Sequence, residues 1–216
     1  MAALGDEIHL VLDDGACQFG QPSSVVKVTH AGLEVLRSGV VSPATLQRLA
    51  SFMILLVCTG NTCRSPMAEG LLKNRLAREL NCTPENLLDR GVMVASAGVS
   101  AMPGSPASPE AVAVLQESGI DISQHASQPV SERLVRNADL IFTLTAGHRQ
   151  ALLSQWPEAE GRVHLLSPDR RDVSDPIGGT TEDYRRCARQ IDALLTARLD
   201  ALDWKSLVFE TRIEKT

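Results

Sequence analysis

The fold is decided by one stretch, Met53-Ile54-Leu55-Leu56-Val57-Cys58-Thr59-Gly60-Asn61-Thr62-Cys63-Arg64-Ser65-Pro66. Its first five residues are apolar and predict a buried strand. Ser65 and Pro66 are typical of a helix start, with Ser65 as the cap and Pro66 at the first helical position. The glycine-containing loop between strand and helix is long enough to curl around one tetrahedral anion, with its backbone N–H groups pointing inward.

Two side chains of this loop predict phosphoryl chemistry. Arg64 can bind two oxygens of the anion at once. Cys58 lies at the base of the loop, where the same positive groups favour the nucleophilic thiolate. A thiolate beneath a phosphoryl group is the arrangement that cysteine-dependent phosphatases use. The cysteine–arginine spacing alone is a weak signal, because an isolated cysteine is commonly a buried structural residue.

From residue 52 onward, predicted strands alternate with predicted helices, and this pattern indicates an α/β fold. We expect a doubly wound, four-stranded parallel sheet of order 2-1-3-4 with helices on both faces. The ligand should lie at the carboxyl end of the first strand, where the cysteine loop begins. The predicted strands are 54–57, 92–95, 140–144 and 163–166, and the predicted helices are 66–80, 109–118, 132–137, 147–155 and 182–202.

Composition narrows the class of protein. The chain has 216 residues, enough for one full domain and a smaller piece, and its net charge of -5 gives no electrostatic case for nucleic acid. It contains no apolar run long enough to span a membrane, and its first residues lack a secretory core. Five cysteines in irregular positions do not form a disulfide framework. These features predict a cytoplasmic enzyme and leave its oligomeric state open.

The loop and its flanks closely resemble the nucleophile loop of the low-molecular-weight protein tyrosine phosphatase family. The resemblance rests on Val57-Cys58-Thr59-Gly60-Asn61-Thr62-Cys63-Arg64-Ser65-Pro66-Met67-Ala68-Glu69. It implies that Cys58 attacks phosphorus to form a phosphocysteine, with phosphorylated proteins as substrates and no metal or organic cofactor. It also implies a phosphate site made by Thr59, Gly60, Asn61, Thr62, Cys63, Arg64 and Ser65.

Asp175 is the candidate general acid. An Asp-Pro pair such as Asp175-Pro176 is by itself more typical of a turn. The family, however, carries its acid as Asp-Pro on a loop before the last helix, and Asp175 matches that position. The neighbouring Asp172 is expected to be a solvated loop carboxylate.

The same resemblance implies a supporting hydrogen-bond network. Asn61 should adopt an unusual backbone conformation and bond to Ser96 on the next strand, while Ser65 should donate its hydroxyl to the Cys58 thiolate. His125 matches a family histidine that packs near this network. A satisfied structural histidine is an equally good account of His125.

Three positions bear on the substrate. Thr62 and Thr145 resemble the bacterial protein arginine phosphatase branch of the family, which implies hydrolysis of phosphoarginine. Ile177 departs from that branch, because an aromatic residue is usual there, and the departure bears on substrate affinity. A phosphotyrosine phosphatase is the nearest alternative.

Two further alternatives fit the sequence less well. An arsenate reductase needs two more shuttle cysteines after the second strand, and no cysteine lies between Gly98 and Asp175. A non-catalytic binding module would lack the nucleophile, the arginine or the acid, and this chain has all three.

Residues 1–50 differ in character from residues 51–216, which we predict to be the phosphatase domain. They predict strands at 8–12, 25–28 and 33–36 and a short helix at 43–49. Residues 13–15, 20–28 and 36–40 resemble the final strands of threonylcarbamoyl-AMP synthases, but only the tail of that domain. We expect a fusion remnant or a truncated domain; an unrelated β-rich extension is the alternative.

Overall fold

The computed structural model describes residues 15–16, 18–29, 32–208 and 211–212. Short 3-10 turns link several of its regular elements. In chain order these elements are β1 (Val25–Thr29), β2 (Gly32–Arg37), α1 (Pro43–Ala50), β3 (Phe52–Cys58), α2 (Arg64–Glu79), β4 (Val92–Gly98), α3 (Pro109–Gln116), α4 (Glu132–Asn137), β5 (Leu140–Thr143), α5 (Ala146–Gln155), β6 (Val163–Leu165), α6 (Thr181–Asp200) and β7 (Thr211–Arg212).

The central sheet is parallel and has the strand order β4-β3-β5-β6. Because β3 is the first strand of this unit along the chain, this order is the predicted 2-1-3-4, and the predicted fold class is confirmed. Every residue of β3 is buried, as expected for a parallel strand that is covered on both faces.

Alternate residues of β3 point into two separate cores, as the two-residue period of a strand requires. Ile54 and Leu56 belong to the core that includes residues of α2, α3 and α6. Leu55 and Val57 belong to the core that includes residues of α4 and α5. The helices therefore cover both faces of the sheet, and the loops after β3 and β4 emerge at one edge.

The start of α2 differs from its prediction. The helix begins at Arg64, its cap is Cys63, and Ser65 and Pro66 already lie inside the first turn. The prediction of Ser65 as the cap was wrong because the Ser65 hydroxyl contacts Cys58 and Asn61 instead of a helix N–H group. Ser108 caps α3 and Ser131 caps α4, since each side chain accepts a backbone N–H of its helix.

The outer edge of the sheet is shielded by arginine side chains. Arg149 Nε donates to the carbonyl of Val163 at 3.3 Å, and Arg198 donates to the carbonyls of Leu165 and Leu166. These bonds occupy acceptors in β6 and directly after it that would otherwise be open to a strand from another chain.

The extension forms a small sheet in which β1 and β2 pair as an antiparallel hairpin. The predicted strand at 8–12 lies outside the described residues. Strand β7, from the other end of the chain, pairs in parallel with β2. Gln47 of α1 is buried and donates to the carbonyl of Leu88 and the carboxylate of Asp89. Within the described residues, no helix is long and apolar enough to cross a membrane.

A chain that begins at Ser51 should still fold, because β3 and both of its cores lie beyond that residue. We expect its free energy of unfolding, measured by urea denaturation, to fall by about 1–3 kcal/mol. The deletion removes the two hydrogen bonds of Gln47, and this loss is the usual contribution of two such bonds to stability. The full-length variant Gln47→Leu, which removes only these bonds, is the matched control and should lose a similar amount. An unfolded deletion chain would show that the extension is integral to the domain.

Candidate active site

The cysteine loop (residues 58–65) lies at the carboxyl end of β3, as expected. Cys58 is buried, and its Sγ lies 2.9 Å from Ser65 Oγ. The backbone N–H of Asn61 also donates to Sγ, at 3.3 Å. Two polar groups therefore face the sulfur, and both can stabilise a negative charge on it.

Asn61 holds the curve of the loop. Its φ of 55° lies in the left-handed region, which few residues other than glycine adopt. The side-chain amide donates to Ser65 Oγ at 2.9 Å and to Ser96 Oγ at 2.8 Å, and its oxygen accepts the backbone N–H of Gln128 at 2.9 Å. The predicted unusual conformation of Asn61 and its contact with Ser96 are therefore both present.

The network ends at a carboxylate that the sequence did not single out. Ser96 Oγ donates to Glu69 Oε2 at 2.5 Å, and the other oxygen of Glu69 pairs with Lys73. Because Asn61 donates an amide hydrogen to Ser65 Oγ, the hydroxyl hydrogen of Ser65 can point at the Cys58 sulfur, 2.9 Å away, rather than at the more distant carbonyl of Ala97, at 3.5 Å. This direction of donation is the one that stabilises a thiolate.

His125 touches the same network from outside the loop. Its Nε2 lies 2.8 Å from the carbonyl oxygen of Asn61. His125 thus contacts the backbone of Asn61, next to the hydrogen-bond network where the family resemblance implied it.

Arg64 and Asp175 meet at the open side of the loop. The Arg64 guanidinium is buried, donates to the carbonyl of Val173 at 3.2 Å and forms an ion pair with the Asp175 carboxylate. The other oxygen of Asp175 accepts the backbone N–H of Ile177 at 3.2 Å, which fixes the turn that the Asp-Pro pair predicted. The arginine that the sequence predicts to bind the anion is therefore paired with the carboxylate that is the candidate acid.

Two side chains of helix α6 contact the cysteine loop and the segment that carries Asp175. The hydroxyl of Tyr184 lies 3.4 Å from Cys63 Sγ, and burial raises the pKa of Tyr184 to about 12. Cys187 Sγ lies 3.6 Å from the carbonyl of Ser174, and burial raises its pKa to about 12. Both groups keep their protons at neutral pH, so they act as neutral supports next to the loop and the candidate acid.

The end of β4 must be glycine because the cysteine loop packs directly on it. A Cβ on Gly98 would lie 2.3 Å from the carbonyl oxygen of Thr59 and 2.9 Å from the backbone nitrogen of Asn61. The backbone N–H of Ser100 donates to that same carbonyl at 2.9 Å. The path of the loop therefore depends on a residue without a side chain on the neighbouring strand.

The three predicted specificity positions have different surroundings. Thr62 is half-buried in the loop, and Ile177 is 69% exposed beside Asp175. Thr145 instead caps α5, where its hydroxyl accepts the backbone N–H of His148. The structure therefore gives Thr145 a structural contact in addition to any contact with a substrate.

Two contacts near the site were missed by sequence reasoning. Asp172, expected to be solvated, accepts the backbone N–H of Ala146 at 2.7 Å, at the start of α5. Its carboxylate is thus anchored at the positive end of a helix. His148 is buried, and its Nε2 lies 2.8 Å from Thr59 Oγ1. The only available signal was the Thr145-Ala146-Gly147-His148 pattern, which is too short to predict either contact.

Comparisons with known proteins agree with this geometry. The family model for low molecular weight phosphotyrosine protein phosphatase matches residues 53–207. The protein-arginine-phosphatase of Bacillus subtilis (strain 168) is 40% identical over 147 residues, which cover 66% of this chain and 91% of the relative. A probable low molecular weight protein-tyrosine-phosphatase EpsP of Ralstonia nicotianae is 41% identical over 124 residues, 57% of this chain and 77% of the relative.

A solved structure is similar over the same part of the chain. The YwlE arginine phosphatase from Geobacillus stearothermophilus superposes with a TM-score of 0.63 and is 36% identical. The match covers 72% of this chain and 96% of that one.

The buried His148 should make stability depend on pH. Burial first, and the charge of Arg64 second, lower its pKa from 6.5 to about 4. Between these values the unfolded chain binds a proton that the folded chain does not, so stability is lost as the pH falls through this window. Urea denaturation at about pH 7.5 and about pH 4.5 should show a loss about 2–3 kcal/mol larger in wild type than in His148→Gln. Parallel losses in the two proteins would contradict the assignment.

Proposed function

Since the chain belongs to the low molecular weight phosphotyrosine protein phosphatase family and is a phosphatase, we propose that it hydrolyses phosphoarginine in proteins through a phosphocysteine on Cys58. The observation that carries the chemistry is the convergence of the Cys58 sulfur, the curved loop and the Arg64–Asp175 pair at one end of the sheet. These groups account for the proton given to the leaving nitrogen, the proton taken from water and the two bond exchanges at phosphorus.

In the first step, the Cys58 thiolate attacks phosphorus in line with the leaving nitrogen. The loop N–H groups and Arg64 bind the three phosphoryl oxygens, where negative charge is held during transfer. A sulfur–phosphorus bond forms and the phosphorus–nitrogen bond breaks. The Ser65 hydroxyl, 2.9 Å from the sulfur, stabilises the thiolate before attack and again when it leaves.

Asp175 supplies the proton that the leaving nitrogen needs. Without a ligand its carboxylate is held by Arg64. A bound phosphoryl group carries more negative charge than a carboxylate and attracts Arg64 to itself. Substrate binding thereby releases the Asp175 carboxylate, which takes up a proton from water and then passes it to the leaving nitrogen.

In the second step, water attacks the phosphocysteine while Asp175 accepts its proton. Inorganic phosphate leaves and the thiolate is restored. The cycle needs Cys58 in its reduced form, which suits a reducing compartment, and we therefore place the enzyme in the cytoplasm.

The choice of phosphoarginine as the substrate class depends on the side chains near the opening of the site. A flat aromatic substrate is usually held by aromatic side chains. Here the residue after Asp175-Pro176 is Ile177, which is not aromatic. The cysteine loop carries Thr62, whose hydroxyl can bond to a polar phosphoguanidinium. The protein-arginine-phosphatase relatives support this choice.

Phosphotyrosine is the second candidate substrate. A probable tyrosine phosphatase is 41% identical to this chain, slightly above the arginine phosphatases. The exposed apolar side chain of Ile177 could pack on a phenyl ring.

We also propose that residues 51–216 form the catalytic domain and that residues 1–50 are an added partial domain. The match to a solved structure covers 100% of that structure but only 70% of this chain. Because β7 lies within residues 51–216 and pairs with β2, the catalytic domain contributes one strand to the sheet of the extension.

The proposed acid can be tested with a leaving-group series. Asp175→Asn should slow hydrolysis of substrates with poor leaving groups by about 10²-fold or more, and that of substrates with good leaving groups much less, because the latter need little protonation. An equal loss across the series would exclude Asp175 as the acid.

Cys58→Ser serves as the nucleophile control in the same series. It should lose about 10³-fold or more in turnover while still binding inorganic phosphate, since the backbone cradle and Arg64 remain. Turnover within tenfold of wild type would rule out Cys58 as the nucleophile.

The substrate assignment can be tested at Thr62. Thr62→Ile removes a hydroxyl and adds an apolar wall, so the ratio of kcat/KM for phosphoarginine over phosphotyrosine peptides should fall by about tenfold or more. Thr62→Ser keeps the hydroxyl and is the matched control. If both variants keep the wild-type ratio, Thr62 does not select the substrate.

A further inference from the structure

His148 lies next to the reacting groups and has no role in the chemistry described above. It is the third residue of α5 and only 6% of its surface is exposed. Its Nε2 lies 2.8 Å from the hydroxyl oxygen of Thr59, the residue that directly follows Cys58. Thr59 itself is exposed at the opening of the cysteine loop.

The surroundings of His148 determine which of its nitrogens carries the hydrogen. The ring is neutral at pH 7 because burial and the nearby Arg64 lower its pKa to about 4. Neutral imidazole has one N–H group and one bare nitrogen. Nδ1 is fully buried and has no hydrogen-bond partner among the described residues.

Two arguments favour the hydrogen on Nε2. Either tautomer can make one hydrogen bond with Thr59 through Nε2, so the two differ only at Nδ1. With the hydrogen on Nε2, Nδ1 is a bare lone pair; with the hydrogen on Nδ1, a buried N–H group is left without an acceptor. Buried N–H groups without an acceptor are the rarer outcome in proteins. The ring also lies in the first turn of α5, where the positive end of the helix and the charge of Arg64 favour a lone pair over a donor, against the smaller opposite effects of Asp175 and Asp172.

The direction of this bond determines what Thr59 can do. When Nε2–H donates, the Thr59 oxygen accepts, and the hydroxyl hydrogen must point away from the imidazole. Thr59 is exposed and is one of the loop residues that make the proposed phosphate site. The hydrogen is therefore available to an oxygen of a bound phosphoryl group.

We propose that His148 is a positioning residue that holds the Thr59 hydroxyl as a hydrogen-bond donor to a phosphoryl oxygen of the substrate. The inference rests on the phosphate site proposed above and adds a donor to it. The imidazole touches neither substrate nor sulfur and acts only through Thr59.

A pair of histidine variants separates this role from simple packing. In His148→Gln, the amide nitrogen reaches the position of Nε2 and keeps the donor. In His148→Asn, the amide ends at the position of Nδ1 and cannot reach Thr59. We expect His148→Asn to lower kcat/KM and weaken inhibition by inorganic phosphate, each by about tenfold, and His148→Gln to stay within about threefold of wild type.

The double-mutant cycle with Thr59→Val tests the coupling. In the Thr59→Val background, His148→Asn should change kcat/KM by less than about twofold, since no hydroxyl remains to be oriented. An equal loss with and without the hydroxyl would overturn the proposal. So would a full loss in His148→Gln when circular dichroism shows a folded protein.

The tautomer can be measured in the wild-type protein, even where a variant fails to fold. In ¹⁵N-labelled protein at neutral pH, the imidazole signals of His148, assigned through the backbone resonances of the same residue, should show hydrogen on Nε2 and a bare Nδ1. Hydrogen on Nδ1 would overturn the proposal.

The cycle is run with both phosphoarginine and an aryl phosphate. If wild type hydrolyses only the aryl phosphate and the coupling is present, the substrate assignment fails while the role of His148 stands. If phosphoarginine is hydrolysed and the coupling is absent, the role of His148 fails alone.

Discussion

The left-handed backbone of Asn61 is the constraint on which the site depends. With φ at 55°, the loop turns back over Cys58 and its N–H group points at the sulfur. This conformation is unfavourable for an asparagine, and the surrounding structure must hold it. Three hydrogen bonds of the side chain and one contact from His125 to the carbonyl do so. The hydrogen-bond network is therefore part of the fold of the loop as well as of its chemistry.

The sequence predicted the features that depend on residues close together along the chain. The apolar run before Cys58 defines a strand buried on both faces, and alternating strands and helices leave few possible sheet orders. The cysteine loop, Asn61 and the Asp175 turn are likewise contained within a few residues each. Because a parallel sheet places the ends of its strands at one edge, the position of the site followed from the strand order.

The remaining features depend on contacts between residues far apart in the chain. Glu69 anchors Ser96, and His148 approaches Thr59 across 89 positions of sequence. The prediction that Ser65 caps α2 failed for a more local reason, because its hydroxyl bonds to Cys58 and Asn61, seven and four residues away. A local pattern records which groups can form a hydrogen bond, whereas tertiary packing decides which partner they receive.

The pairing of Arg64 with Asp175 links binding to catalysis. A buried arginine without a counter-ion would be costly, so the ligand-free site needs a carboxylate next to it. The chain uses the candidate acid for this purpose, on a loop whose carboxylate is 40% exposed and whose neighbours Ser174 and Ile177 hold the backbone in place. In the reaction proposed above, a phosphoryl group that takes over Arg64 leaves the Asp175 carboxylate without its ion pair, so that it can carry the proton for the departing atom. In that reaction one charge exchange both binds the anion and frees the acid.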